Sequence, residues 1–322
     1  MFWRRSALGL EFRQIHWDES LRADVIAMLR LAVREDLGRA GDATSKALIL
    51  KGAMGAADVV ARQAGILAGL PAAEIAAHLV DPSLQWMPQV ADGQPVAPGD
   101  GVASLAGPVR SILAAERLVL NLLTRLSGIA TLTRRYVDAV AGTRARIYDT
   151  RKTTPGWRRL EKYAVRMGGG CNHRAGLYDA ILIKDNHLAF GRENASGKAG
   201  FSPAEAVHRA RRWSQRHAPS SAGSRTIVEI EVDSLTQLDD VLPARPDLVL
   251  LDNMAPEQLS QAVARRDAVA PEIELEASGG VTLDTVGQIA RTGVDRISVG
   301  ALTHSPPALD FGLDWAQLSP KN

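Results

Sequence analysis

Between Arg144 and Arg174 the chain carries nine lysines and arginines (Arg144, Arg146, Arg151, Lys152, Arg158, Arg159, Lys162, Arg166 and Arg174) against two acids, Asp149 and Glu161. That local balance of +7 leaves −5 for the remainder of a chain whose total is +2. Guanidinium forks match carboxylates and phosphates geometrically, so a set this dense suits an anion with several acidic groups. Arg158, Arg159 and Arg166 equally fit an ordinary solvated face. Few aromatic residues lie among them, which argues against a surface that stacks nucleic-acid bases. The acids come later and alternate. In Glu229-Ile230-Glu231-Val232-Asp233, and again in Glu272, Glu274 and Glu276, carboxylates two apart share one face of a strand. Glu229 and Glu272 read best as partners of basic side chains lining the same interior. Glu231 and Asp252, at strand ends, suit sugar hydroxyls or a magnesium ion, because hard cations take carboxylate oxygen. Ser278-Gly279-Gly280-Val281-Thr282 and Ser298-Val299-Gly300-Ala301 each end a strand and open a helix, so backbone amides can converge there on a phosphate. No spacing among the seven histidines suits zinc, and His16, His78, His208 and His217 stand outside any motif. His187 reads as organising the loop that holds Lys184. Cys171, the single cysteine, excludes an internal disulfide framework and reads as an inert thiol.

These side chains need elements to bring them together. Six apolar runs in the second half each end in a polar cluster: Ile147 to Lys152, Ile181 to His187, Ile227 to Glu231, Leu248 to Asn253, Ile273 to Gly280 and Ile297 to Gly300. Most are followed by a helix-like segment, which implies parallel strands joined by right-handed crossovers, with the polar ends converging on one face of a barrel. The first part differs. Asp18 can cap a helix to about Glu35, with Leu21, Val25, Met28, Leu29 and Ala32 on one stripe. From Ala57 to Gly107, Gly, Pro and Asp punctuate short runs that read as mostly strand and turn. A helix from about Ser111 to Ala141 then bridges two domains, with a break or kink expected near Gly128, and Asn194 to Gly200 reads as a mobile loop. A length of 322 residues favours two domains, and 46% hydrophobic with 23% charged residues is ordinary for a globular protein. No run approaches the roughly 18 apolar residues of a membrane span, and Ala7 to Leu10 after Arg4-Arg5 is too weak for a signal peptide. The expected setting is the cytoplasm, with neither membrane nor nucleic acid as partner.

Longer stretches carry a resemblance. The run Asp149-Thr150-Arg151-Lys152-Thr153-Thr154-Pro155-Gly156, then Leu160 to Val165, Gly168-Gly169-Gly170-Cys171-Asn172-His173-Arg174 and Leu182 to His187, resembles the quinolinate phosphoribosyltransferase family. Further matches run from Arg34 to Ser45 through Glu116 to Asn121 and Leu126 to Thr131 to Val299 through Ser305. The departures are Trp157, the long linker Gly191 to Phe201 and an extension before about Ile15; none removes a charged site residue. The resemblance implies an α/β fold, an incomplete TIM-like α/β barrel over 128–304 with an N-terminal α+β open-faced sandwich domain over 1–127, joined by a C-terminal helix over 305–322. It implies transfer of the phosphoribosyl group of phosphoribosyl pyrophosphate to quinolinate, with loss of pyrophosphate and carbon dioxide, to give nicotinate mononucleotide for NAD synthesis. By resemblance Arg117, Arg151, Lys152, His173, Arg174 and Lys184 surround quinolinate, and Thr150 is a further substrate-binding residue. Glu231 and Asp252 meet the donor and Mg2+, Ser278, Gly279, Gly280, Ser298, Val299 and Gly300 take a phosphate, and Lys152, Lys184, Glu231 and Asp252 carry the catalytic roles. It further implies a homodimer in which Arg117 reaches the neighbouring subunit's site, with a hexamer, a trimer of dimers, as the larger assembly. A transferase for another acceptor and a non-catalytic sensor of phosphoribosyl pyrophosphate or nucleotide are the competing readings; the basic set of Arg117, Arg151, His173 and Arg174 weighs against the first, and the intact acidic and basic halves of the site against the second.

Overall fold

The computed structural model describes residues 11–191, 200–217 and 226–315. The Gly191 to Phe201 linker lies outside the described residues from 192 to 199. In chain order come α1 (Glu19–Leu37), α2 (Ala43–Leu48), β1 (Met54–Ala61), β2 (Gly65–Ile66), α3 (Leu70–Val80), β3 (Gln85–Pro88), β4 (Pro95–Val96), β5 (Gly101–Pro108) and α4 (Val109–Ala139). There follow β6 (Arg146–Tyr148), α5 (Arg158–Met167), β7 (Ile181–Ile183), α6 (Asp185–Ala189), α7 (Pro203–His217), β8 (Val228–Val232), α8 (Leu235–Val241), β9 (Leu248–Asp252), α9 (Pro256–Val269), β10 (Glu274–Ser278), α10 (Leu283–Arg291), β11 (Arg296–Ser298), α11 (Ala301–His304) and β12 (Phe311–Trp315). No described helix is long and apolar enough to cross a membrane. Two compact units form. One comprises 11–14, Arg135–Arg151 and Cys171–Ala301; the other comprises Ile15–Arg134, Lys152–Gly170 and the chain from Leu302 onward.

The second unit holds an antiparallel sheet of order β12-β1-β5-β3. Asp18 caps α1 as expected, its carboxylate accepting the Leu21 N–H at 2.7 Å, and Leu21, Val25 and Leu29 are the buried stripe. Three expectations are corrected. The stretch read as strand and turn contains α3, whose cap is not local: the Asp92 carboxylate accepts the N–H groups of Gly69 and Leu70 from 23 and 22 residues away. Gly128 does not break α4. A Cβ there would lie 2.2 Å from the Pro307 carbonyl oxygen, so glycine admits a passing chain rather than a kink. The C-terminal helix expected over 305–322 is replaced at Phe311–Trp315 by β12, which pairs residue for residue with Ala57–Ala61 and covers the edge of β1; residues 316–322 lie outside the described chain.

The first unit is a parallel sheet of order β6-β11-β10-β9-β8-β7, the six strands expected. The barrel is incomplete between β6 and β7, where a single parallel bridge, Tyr148 to Cys171, stands in for a strand. Phe12, Tyr148, Cys171, Ala180, Ile227 and Leu248 form a buried cluster inside. Register fixes the remaining inward residues, since paired residues in a parallel sheet point the same way. Glu229 pairs with Leu248 and Leu248 with Glu274; Glu231 pairs with Leu250 and Leu250 with Glu276; Asp252 pairs with Ser278. One face therefore carries both carboxylate columns.

Candidate active site

The inward face is layered by charge. Toward the amino ends of the strands Glu274 accepts from Arg296, buried completely, and pairs with Arg146 at 3.2 Å. Glu272 does not join this column. It precedes β10 and pairs with Arg245 at the surface, because the strand begins two residues later. In the middle layer the His173 Nε2 lies 3.0 Å from Glu229 and 3.4 Å from Glu276, both carboxylates with no measurable exposure. Phe12 stacks on the imidazole at a centroid distance of 4.2 Å. The Asp149 carboxylate, which sequence reasoning missed, fixes this loop by accepting from the His173 N–H at 2.9 Å and the Asn172 side-chain amide at 2.6 Å. Its signal was its place at the end of an apolar run.

Burial alone would push the His173 pKa down; Glu229 and Glu276 outweigh it and raise the value to about 10. The Arg174 backbone N–H, 2.8 Å from Nδ1, suits a neutral ring instead. Two buried carboxylates against one adjacent amide decide for the imidazolium. Glu276 stays below the ordinary carboxylate value despite burial, held there by His173, Arg296 and Ser298. The ligand atoms of His173, Glu229 and Glu276 lie within 4.8 Å of one another, so this cluster could coordinate a metal ion in place of the ring proton.

Around the carboxyl ends stand the predicted ligands of this unit. Arg174 is only 6% exposed; it donates to the Ala180 carbonyl at 3.2 Å and forms no ion pair among the described residues. Burial, and then the neighbouring Arg151 charge, hold its pKa below the usual arginine value. Thr150 and Arg151, both half-buried, follow the carboxyl end of β6 after Asp149. Lys184 caps α6, its N–H donated to His187 Nδ1 at 2.9 Å, the loop-organising role expected of that histidine. Its ammonium pairs with Glu231. Asp252 accepts from the Asn253 amide at 2.8 Å. Beside it Gly279 and Gly280 take φ of 93° and 59°; a Cβ on Gly279 would lie 2.1 Å from Asn253 Oδ1, whereas Gly280 faces open space. Ser298 ends β11 with Val299 and Gly300 just after it, and the Val299 N–H is donated to the Tyr148 carbonyl at 2.9 Å. Arg117 and Lys152 belong to the other unit, on α4 and in the loop before α5. Arg117 is two-thirds exposed, 3.6 Å from Glu116. Of the basic residues with a bland alternative, Arg159 pairs with Asp18 and Asp24 and Arg166 donates to the Gly170 carbonyl, while Cys171 is buried.

Comparisons with known proteins bear on this arrangement. The models of the quinolinate phosphoribosyl transferase N-terminal and C-terminal domains match residues 42–127 and 129–314. The chain is 43% identical over 291 residues to the carboxylating nicotinate-nucleotide pyrophosphorylase of Mycobacterium leprae, covering 89% of this chain and 95% of that protein. The structure of the nicotinate-nucleotide pyrophosphorylase from Francisella tularensis superposes with a TM-score of 0.82 at 35% identity, over 94% of this chain and 99% of that one. NadC from Streptococcus pyogenes gives 0.80 at 36% identity, over 94% and 100%. An incomplete parallel barrel and an antiparallel sheet domain in one chain, with both family domains matched in order, place this chain in the quinolinate phosphoribosyltransferase family.

Proposed function

We propose that the chain transfers the phosphoribosyl group of phosphoribosyl pyrophosphate to the ring nitrogen of quinolinate, releasing pyrophosphate and carbon dioxide and forming nicotinate mononucleotide for NAD synthesis. The observation that carries the acceptor assignment is Arg174, a buried guanidinium in no close ion pair among the described residues, whose pKa burial and Arg151 hold down although Glu229 and Asp179 pull it the other way. A buried cation with a half-buried one beside it favours an anionic ligand, and a planar dicarboxylate matches two guanidinium forks. His173 and Lys184 of the same unit are assigned to the acceptor as well, and family resemblance adds Lys152 and, from a second copy, Arg117.

Glu231 and Asp252 share the inward face at neighbouring strand ends and offer only hard oxygen donors, which fits magnesium better than the imidazole of the layer below. Bound there, Mg2+ would neutralise the donor's pyrophosphate as it leaves. The open backbone at Gly280, beside the start of α10, receives a phosphate of the donor, with Ser298 to Gly300 next to it. Displacement at the anomeric carbon then needs positioning and charge stabilisation rather than a covalent nucleophile. Lys184 pairs with Glu231 here; ribose hydroxyls or magnesium bound at that carboxylate would free its ammonium to steady the charge that develops on the ring carbon as carbon dioxide leaves. Incubation with quinolinate, phosphoribosyl pyrophosphate and Mg2+ should yield nicotinate mononucleotide and carbon dioxide in equal amounts; absence of product while both substrates bind would overturn the reading.

A further inference from the structure

The loop that carries Lys152 and Thr154 has no regular structure, and both side chains are exposed. Such a segment would ordinarily move, yet its backbone is held from beneath by groups that solvent does not reach. The Thr303 hydroxyl, buried completely at α11, donates to the Lys152 carbonyl at 2.8 Å. The Glu161 carboxylate, equally buried on α5, accepts from the Thr154 N–H at 3.2 Å and the Thr154 hydroxyl at 2.9 Å. Arg125 of α4 ties the two anchors together. It donates to Glu161 at 2.7 Å and 3.2 Å and to the Thr303 carbonyl at 2.6 Å.

The result is a closed circuit from Lys152 through Thr303, Arg125 and Glu161 to Thr154, spanning three helices of one compact unit. An ion pair with a fully buried carboxylate and a part-exposed guanidinium adds little net stability, because Glu161 loses its hydration. What this pair does supply is geometry: every hydrogen bond it makes outside itself ends on backbone or hydroxyl groups of Thr303 and Thr154. We infer that Arg125, Glu161 and Thr303 are positioning residues, which hold the backbone at Lys152 so that its ammonium is presented in one place to a carboxylate of quinolinate. None of the three need touch substrate. The inference rests on Lys152 being an acceptor ligand.

Thr303→Val keeps the shape and removes only the hydroxyl, so it tests the circuit without an uncompensated charge. In the full-length enzyme it should raise the quinolinate Kd and KM about tenfold, equivalent to one hydrogen bond of about 1.4 kcal/mol, with the donor KM unchanged. Thr303→Ser should restore both. Glu161→Gln, if it folds, should act in the same direction. The role is separated from plain stability by a double-mutant cycle. In a Lys152→Ala background Thr303→Val should add no further loss of quinolinate affinity, because there is no longer an ammonium to place. A wild-type quinolinate Kd in Thr303→Val, or a second tenfold loss on top of Lys152→Ala, overturns the inference. Quinolinate affinity that survives Lys152→Ala itself would instead refute the assignment of Lys152 as a ligand, and the positioning role with it.

Discussion

Arg174 is buried with its charge only partly compensated: burial and the Arg151 guanidinium outweigh the attraction of Glu229 and Asp179, and its printed hydrogen bond goes to a carbonyl at 3.2 Å. Removing a charge from a desolvated pair with a ligand costs on the order of 2 to 5 kcal/mol. Arg174→Ala and Arg151→Ala should each nearly abolish calorimetric binding of quinolinate while leaving the circular dichroism spectrum unchanged; undiminished affinity in both would exclude them as the acceptor's grip. His173 makes a prediction about pH. Its raised pKa of about 10 means the folded state holds the ring proton more tightly than the unfolded chain, where the value is about 6.5. The stabilisation is therefore complete below about 6.5 and is lost as pH rises toward 10. Urea denaturation across that window, in chelator so that no metal competes for the ring, should show stability falling in the wild type. Relative to it, His173→Gln should follow a flatter curve, and parallel curves would show that the ring is neutral.

At the scale of elements, α4 poses a conflict between propensity and packing. In an exposed helix interior, alanine is favoured over glycine by about 1 kcal/mol, so propensity alone would make Gly128→Ala stabilising. The Pro307 carbonyl oxygen, 2.2 Å from where the new Cβ would stand, reverses the sign, since backbone cannot rotate aside as a side chain can. Overpacking of this kind costs about 1 to 3 kcal/mol. Gly128→Ala should lower the urea midpoint, and a raised midpoint would mean that residues 307–308 do not pass against the helix. The same unit shows how an element can be capped from afar. Asp92 serves α3 and also accepts from the Tyr163 hydroxyl at 2.7 Å, so one carboxylate joins α3 to α5. Burial raises the Asp92 pKa, and the hydrogen bonds it accepts offset only part of that cost.

For the whole molecule, the question is how many chains make one site. Arg117 is two-thirds exposed and, among the described residues, pairs only with its neighbour Glu116, which gives a long cationic side chain little reason to hold one conformation. If it completes the acceptor pocket of a second copy, Arg117→Ala and Arg151→Ala homodimers should both be inactive. Mixing them after reversible dissociation should recover roughly a quarter of wild-type activity, because half the dimers are mixed and each has one intact site. Sedimentation should find the active species to be a dimer. An active monomer, or no recovery in verified heterodimers, would assign Arg117 to its own chain.

The sequence by itself determined the alternation of six strand-like runs with helices, the basic run from Arg144 to Arg174 and the strand-end carboxylates, because periodicity and residue chemistry are local properties of the chain. It also carried the family resemblance. It did not determine which charge meets which. Lys184 and Glu231, read as ligands of two different substrates, pair with each other 47 residues apart. Glu229 and Glu276 converge on His173 from separate strands, Glu272 turns outward to Arg245, and Glu161, one of only two acids in the basic run, clamps Thr154 and Arg125. α3 was hidden because its cap, Asp92, comes from beyond its far end, and β12 because a strand exists only where an edge such as that of β1 is free to pair. Hydrogen bonds and ion pairs depend on distances between residues remote in sequence, and those distances are set only when the sheets close and the helices pack.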